Sequence, residues 1–254
     1  MAQNLAFLSS GTDEAEYARE KLISIYGDCS PQDADAVVAL GGDGFMLQTQ
    51  HQFMNSGTPI YGMNKGTVGF LMNEYKPDNL RQRISAALRS KIRPLVMTVT
   101  DENGKQHTAM AINEVSLLRQ SYQAASLSIT TDGKRRLDAL VCDGVMVATP
   151  AGSTAYNLSA QGPILPLQAP LLALTPVSPF RPRRWRGALI PNTVEVHIGI
   201  NEPEKRPVNA VADHTEFKSV REVHVKQDMD HHGLILFDPE HSWDDRILAE
   251  QFQY

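Results

Sequence analysis

The stretch Ala36-Val37-Val38-Ala39-Leu40-Gly41-Gly42-Asp43-Gly44 leaves this chain few choices. An apolar run of strand length feeds directly into three glycines and a single carboxylate, and Phe45 to Asn55 then carries helical character. That pattern predicts a buried strand, a tight turn and a helix start. Glycines at such a junction let the backbone pass close to a ligand, and the first N–H groups of the helix favour bound phosphate. Asp43 is the unusual residue, because a carboxylate repels phosphate. Its use there is to take a proton from a hydroxyl that lies beside a phosphate. An ordinary turn with Asp43 as a local cap is the alternative that the residues leave open.

The flanking sequence repeats the same unit. Leu5 to Leu8, followed by Ser9-Ser10-Gly11-Thr12 and a helical pattern from Asp13 to Ile25, is a strand, a loop and a helix. Ile60-Tyr61-Gly62 starts a third unit and leads into Met63 to Leu71, a second glycine-bearing loop placed after a strand. Alternation of this kind predicts a parallel sheet with ligands gathered beyond the carboxyl ends of the strands. Both loops then meet at one cleft, where Lys65 offers a movable point charge for phosphate. Pro77 to Lys91 reads as a helix that closes this lobe, with Leu80, Ile84, Ala87 and Leu88 on one face and Arg89 and Lys91 at its end. Neither a Walker phosphate loop nor G-x-G-x-x-G is present, so a nucleotide must be held by other means.

After residue 91 the rhythm changes. Short β-rich runs follow one another: Leu95 to Thr100, Thr108 to Leu118, Ala125 to Thr130, Leu137 to Val147, Thr193 to Ile200, Pro207 to Ala212, Glu222 to Gln227 and Leu234 to Phe237. Asp101-Glu102-Asn103-Gly104 and Thr131-Asp132-Gly133-Lys134 are hairpin signals. The expected architecture is an α/β, Rossmann-like first lobe at 1–91 and a β-rich, sandwich-type second lobe at 92–238. Trp243 to Tyr254 returns to helical character, and the tail at about 239–254 is expected to pack back on the first lobe.

A chain of 254 residues with 42% apolar content is long enough for two such cores. With 24 basic against 29 acidic side chains, a general nucleic-acid binder is disfavoured. Cys29 and Cys142 imply no disulfide framework, and Leu5 to Leu8 with no basic region before it is neither signal peptide nor membrane span. The expectation is a soluble cytoplasmic protein in a reducing compartment.

Three groups in the second lobe carry possible chemistry. Asn113-Glu114 interrupts an apolar strand, and a buried amide and carboxylate need partners; a ligand with hydroxyls and ring nitrogens would supply them, as would a water-exposed strand end or bulge. Asp143-Gly144 leads through Val145 to Ala148 into Thr149-Pro150-Ala151-Gly152-Ser153-Thr154-Ala155-Tyr156-Asn157-Leu158-Ser159, where small side chains let a flat ring lie against backbone and Ser153 or Thr154 falls near a helix cap. Arg181-Pro182-Arg183-Arg184-Trp185-Arg186 concentrates guanidinium groups that could grip phosphates, or serve as a solvated loop or subunit contact. His231-His232, with Asp228 and Asp230 before them, lack zinc-type spacing of further ligands and read as a polar turn, so no metal ligands are assigned.

Taken together, Gly41-Gly42-Asp43-Gly44, Asn113-Glu114 and Asp143 through Ser159 resemble, in order and spacing, the signature set of the NAD kinases, over nearly the whole chain. The Gly-Gly-Asp-Gly turn is shared with diacylglycerol and sphingosine kinases; the Thr-Pro-Ala-Gly-Ser-Thr-Ala-Tyr run with an upstream Asn-Glu pair is more specific. The resemblance implies transfer of phosphate from ATP, or from polyphosphate, to the 2'-hydroxyl of the adenosine ribose of NAD. It makes Asp43 the general base in contact with NAD, and lets donor phosphates approach at Gly41, Gly42 and Gly44, with Gly44 also beside the dinucleotide; Lys65, read above as a phosphate contact, stands where relatives commonly have an arginine or another polar residue. It implies that Asn113 and Glu114 hold adenine and ribose, that Asp143 meets the nicotinamide end across a subunit boundary, and that Ala151, Thr154, Ala155, Tyr156, Asn157 and Ser159 line the dinucleotide pocket. It also implies a divalent metal, Mg²⁺, and a homo-oligomer, dimer or tetramer. Relatives often carry Arg or Lys where this chain has Val141, and the Arg181 to Arg186 run is a candidate replacement. Asp213-His214 falls where relatives have a similar pair near the cleft. The competing readings are a lipid kinase of the same superfamily and a non-catalytic NAD(P) sensor.

Overall fold

The computed structural model describes residues 4–66 and 69–241. The chain divides into two compact units, one formed by the residues up to Ile92 with Pro166–Gln168 and the chain from His231 onward, the other by Arg93–Leu165 and Ala169–Asp230.

The first unit opens with β1 (Leu5–Ser9), α1 (Asp13–Tyr26), β2 (Ala36–Gly41), α2 (Asp43–Gln52), β3 (Ile60–Asn64), α3 (Leu80–Ala86) and β4 (Leu88–Ile92). Every residue of β2 is buried, which its unbroken apolar run requires of a central strand covered on both faces. Local chemistry sets the ends of α1: the Thr12 side chain accepts from Ala15 N, Asp13, Glu14 and Glu16 fill the first turn, and Gly27 closes the helix at φ 74°.

The second unit is two antiparallel sheets. Its strands are β5 (Leu95–Asp101), β6 (Gln106–Ala111), β7 (Glu114–Arg119), β8 (Ala125–Thr131), β9 (Lys134–Cys142), β10 (Gly144–Ala148), β11 (Leu171–Val177), β12 (Ala188–Pro191), β13 (Val196–Ile200), β14 (Val208–Ala212), β15 (Thr215–Phe217) and β16 (Val220–Gln227). One sheet has the order β12-β11-β10-β7-β14-β15 and the other β6-β5-β16-β13-β8-β9. Their alternating apolar residues form one core, with Leu95, Met97, Leu117, Leu127, Val145 and Ile198 at its heart. Both predicted hairpin turns are present, joining β5 to β6 and β8 to β9.

β17 (Gly233–Phe237) then returns to the first sheet, whose order is β1-β2-β3-β17-β4. The sequence suggested Leu234 to Phe237 for the second lobe. Its apolar residues run consecutively instead of alternating, and that suits a strand covered on both faces of a mostly parallel sheet. A buried polar network locks it there: Asn73 donates to Gly62 O and Leu236 O and accepts from Asp238 N, while Asp238 takes the Tyr61 hydroxyl and pairs with Arg83.

The expected helix at Pro77 to Lys91 is also corrected. It ends at Ala86, and Leu88–Ile92 forms an antiparallel edge strand on β17, from Leu88 opposite Phe237 to Ile92 opposite Gly233. Helical periodicity continued through Ala87 and Leu88, but pairing with a neighbouring strand overrides so weak a local preference. Strands β11, β12 and β15 carry no strong sequence signal. Pro239–His241 is a 3-10 turn, and the helix expected for Trp243 to Tyr254 lies outside the described residues.

Candidate active site

In the first unit two turns meet beside Asp43. Gly41 pairs with Asn64 across β2 and β3, so the loops that follow start at the same level beyond the carboxyl edge of the sheet. Lys65 N donates to Gly41 O at 2.7 Å, and a Cβ on Gly66 would lie 3.6 Å from Gly42 Cα. The glycines differ in purpose. A Cβ at Gly41 would fall 2.9 Å from that of Phe45, whereas at Gly42 and Gly44 it would meet nothing within 4 Å. Gly41 is therefore a packing requirement, while Gly42 and Gly44 keep the start of α2 bare. Gly42, the N-cap, gives no side-chain acceptor to the first helical N–H groups, which suits an approaching anion.

The Asp43 carboxylate is clamped by the second loop. Phe70 N donates to Oδ2 at 2.7 Å and Leu71 N to Oδ1 at 3.0 Å. These bonds fix both oxygens, and a carboxylate still offers further lone pairs to a hydroxyl. Gly69 permits the clamp, because a Cβ there would lie 2.8 Å from Met72 Cγ and 3.1 Å from Asp43 Oδ1. The ammonium of Lys65 rests over the Tyr75 ring, 4.2 Å from its centroid. Thr67 and Val68 of this loop lie outside the described residues.

In the second unit the run expected as one strand from Thr108 to Leu118 is broken at Ile112-Asn113. Asp213 makes the break. Its carboxylate accepts from Ile112 N at 2.7 Å, Asn113 N at 3.0 Å and Glu114 N at 3.3 Å, and its own N–H donates to Glu114 O. Three consecutive main-chain donors are thus turned onto one side chain, which leaves the Asn113 and Glu114 side chains short of partners. Asn113 Oδ1 and Glu114 Oε2 are buried with no hydrogen bond. Burial, helped by the Asp213 charge, pushes the Glu114 carboxyl up to about 7. A buried polar atom without a partner costs roughly 1–3 kcal/mol.

The segment after β10 packs against the same break. Thr149 N donates to Asn113 O, Thr149 Oγ1 donates to Ile112 O and accepts from Gly152 N, and a Cβ on Gly152 would strike Asn113 O at 2.1 Å. Ala151–Thr154 is a 3-10 turn and Tyr156–Ser159 a single helical turn, α4. Ser153 and Thr154 lie next to its N-cap, Ala155, as expected, but give it no side-chain cap: the Ser153 hydroxyl bonds Pro150 O and receives Leu165 N. Of the expected pocket residues, Ala151 and Asn157 are buried, Thr154 and Ala155 half-buried, and Tyr156 and Ser159 exposed. Asn157 has its amide committed to Ser153 O, Pro163 O and the Thr175 hydroxyl, which makes it a support for the loop. Ser159 lines a cavity of about 360 Å³ with Gln161, Pro176, Ser178 and Arg186.

Asp143 separates β9 from β10 and pairs with Arg119, Nε to Oδ1 at 2.6 Å. Near it, Val141 N donates to Arg181 O at 2.8 Å and Arg181 N to Val141 O at 3.1 Å, so the arginine-rich loop is anchored at Val141. Arg181 and Arg183 lie over the Phe180 ring. Sequence reasoning missed Arg119, Gly69, the Phe70 and Leu71 amides and the organising role of Asp213. Asp213 left a trace, as a polar pair between two strand-like runs, and Gly69 another, as part of the second glycine-bearing loop.

Comparison with known proteins gives a consistent result. Residues 4–92 match the family model of the ATP-NAD kinase N-terminal domain, and residues 112–227 that of the C-terminal domain. The chain is 64% identical over 249 residues to NAD kinase of Rhizobium meliloti, covering 98% of this chain and 97% of that one. It is 57% identical to NAD kinase of Caulobacter vibrioides over 98% of this chain and 95% of the other. Among solved structures, yeast NADH kinase complexed with NADH superposes at a TM-score of 0.83 with 21% identity, covering 98% of this chain and 87% of that one. An NAD kinase from Archaeoglobus fulgidus in complex with ATP gives 0.77 and 20%, covering 97% and 99%.

Proposed function

The chain belongs to the NAD kinase family, and from that premise we propose that it transfers the terminal phosphoryl group of ATP, or of polyphosphate, to the 2'-hydroxyl of the adenosine ribose of NAD. The observation that carries the residue assignment is the contrast at two carboxylates. Asp43 is held by two main-chain donors at a helix start left bare by Gly42 and Gly44, and Glu114 sits buried with an unpartnered oxygen beside an unpartnered Asn113.

In this reading Asn113 and Glu114 hold the adenine and the ribose diol, since an amide both donates and accepts and a carboxylate can receive two hydroxyls. Asp43 takes the proton of the 2'-hydroxyl as its oxygen bonds to phosphorus and the donor's bridging P–O bond breaks. A ribose hydroxyl is a weak nucleophile at neutral pH, and such a base contributes about 10²–10⁴ in rate. The bare turn at Gly41 and Gly42 approaches the donor phosphates, and Lys65 leaves Tyr75 to reach them. Asp143, Ala151, Thr154, Ala155, Tyr156 and Ser159 contact the rest of the dinucleotide, with Asn157 behind them.

Mg²⁺ would enter with the donor phosphates and supply neutralisation of their charge. Such an ion is commonly held by substrate phosphates with few protein carboxylates, and no protein ligand is assigned to it here. The free thiols of Cys29 and Cys142 suit a reducing, cytoplasmic compartment, and a homo-oligomer is what the family resemblance implies.

The test is direct. Purified protein is incubated with Mg²⁺, NAD and either ATP or polyphosphate, and NADP is followed with an NADP-specific dehydrogenase. NADP should accumulate with at least one donor; none with either donor overturns the reading.

A further inference from the structure

Away from the residues discussed so far, the solvent face of the second six-stranded sheet carries an unusual cluster. His197 on β13 lies directly opposite His224 on β16, and the two imidazoles stack at 4.1 Å between centroids with 18° between planes. Glu195, two residues before His197, brings Oε2 to 3.3 Å from His224 Nε2, and Glu222 brings Oε1 to 4.0 Å from His197 Nδ1 on the other side. One ligand atom each from Glu195, His197 and His224 lies within 4.8 Å of the others.

Several features separate this cluster from a plain salt bridge. His224 Nε2 is buried and has no aligned hydrogen-bond partner, although the Glu195 carboxylate is beside it. The Glu195 backbone is fixed as well: its N–H donates to Asp132 Oδ1 and its carbonyl accepts from Asp132 N.

We propose that Glu195, His197 and His224 form a surface site for a divalent transition ion of the zinc class, bridging β13 and β16, with Glu222 placed to orient His197 or to complete the charge balance. Two imidazoles and a carboxylate are the donor set that borderline cations such as Zn²⁺, Co²⁺ and Cu²⁺ take, and a fourth position is left for water. Tetrahedral ligands about 2.0–2.1 Å from zinc stand roughly 3.3 Å apart, so the side chains need close in only modestly, each ring tilting out of the stack. The sequence drew attention to His231-His232; the cluster is instead assembled from residues 27 positions apart, which only strand pairing brings together. The proposal is independent of the kinase reading.

The experiment titrates Co²⁺ into the full-length, tag-free protein and follows the visible bands of tetrahedral cobalt, with Zn²⁺ added as competitor. One Co²⁺ per chain should bind and be displaced by Zn²⁺. His197→Gln and His224→Gln should each weaken binding by at least about tenfold, Glu195→Gln less, and His231→Gln and His232→Gln not at all. Paramagnetic broadening by substoichiometric Co²⁺ in the unmodified protein should strike the His197 and His224 ring resonances first, a readout that needs no variant to fold. Absence of tetrahedral bands, broadening centred elsewhere, or binding undiminished in both His197→Gln and His224→Gln overturns the site.

Discussion

Asp43 and Glu114 are both carboxylates placed at the end of a buried strand, and the protein treats them in opposite ways. Asp43 is surrounded by main-chain donors that fix both its oxygens. Glu114 is stripped of them, because the three amides that could have served it are turned onto Asp213, and its Oε2 is left buried and unpartnered. A group that must present one lone pair to a reacting proton gains from being immobile. A group that must recognise a ligand gains from being unsatisfied until the ligand arrives, since the wrong ligand then leaves the penalty in place.

The contrast can be broken from either side. The largest effect is expected at the base: Asp43→Asn should lower kcat for NADP formation by about 10²–10⁴, measured at saturating NAD and ATP. Next comes the clamp around Glu114. Asp213→Ala leaves three main-chain donors without their acceptor and should cost about 1–3 kcal/mol in thermal or urea unfolding, with KM for NAD rising more than kcat falls.

Glu114 itself gives a pH test. Its folded pKa of about 7 lies above the ordinary value of 4.5, so the folded protein holds an extra proton between those two pH values and loses stability as pH rises through them. In the ligand-free protein Glu114→Gln should therefore raise the melting temperature at pH 8, by up to about 3 kcal/mol of stability, and this advantage should vanish below pH 4.5. NAD binding should show the reverse sign: it should tighten in the unmodified protein as pH rises through 7, where the carboxylate that receives the ribose hydroxyls forms, and be flat in Glu114→Gln. Gly69→Ala should loosen the hold on Asp43 and lower kcat by roughly tenfold, with Kd for NAD unchanged. The smallest effect is at Arg119→Gln, which releases Asp143 from a partly exposed pair worth about 0.2–1 kcal/mol and should change KM for NAD only a few-fold.

What could be read from the residues was set by how local its cause is. The run from Ala36 to Gly44, the hairpin turns at Asn103-Gly104 and Asp132-Gly133, and the change from helical to alternating periodicity near residue 91 are local, and each has its counterpart in the structure. The strand at Leu88–Ile92 was not legible because its partner, Gly233–Phe237, lies far along the chain. For the same reason the Asn113-Glu114 pair was visible as an interruption and Asp213 as half of a polar pair, while the bonds that join them across 100 positions were not. The amides of Phe70 and Leu71 leave no mark on side-chain identity at all; only Gly69 beside them hints that a backbone passes close to something.

The division of labour between the two carboxylates is most directly tested by titrating NAD into Asp43→Asn and measuring Kd by intrinsic fluorescence or calorimetry. The account predicts a Kd within about threefold of the unmodified protein while NADP formation is lost. A Kd that rises in step with the loss of turnover would contradict it, and would make Asp43 an anchor for the dinucleotide instead of the base that acts on it.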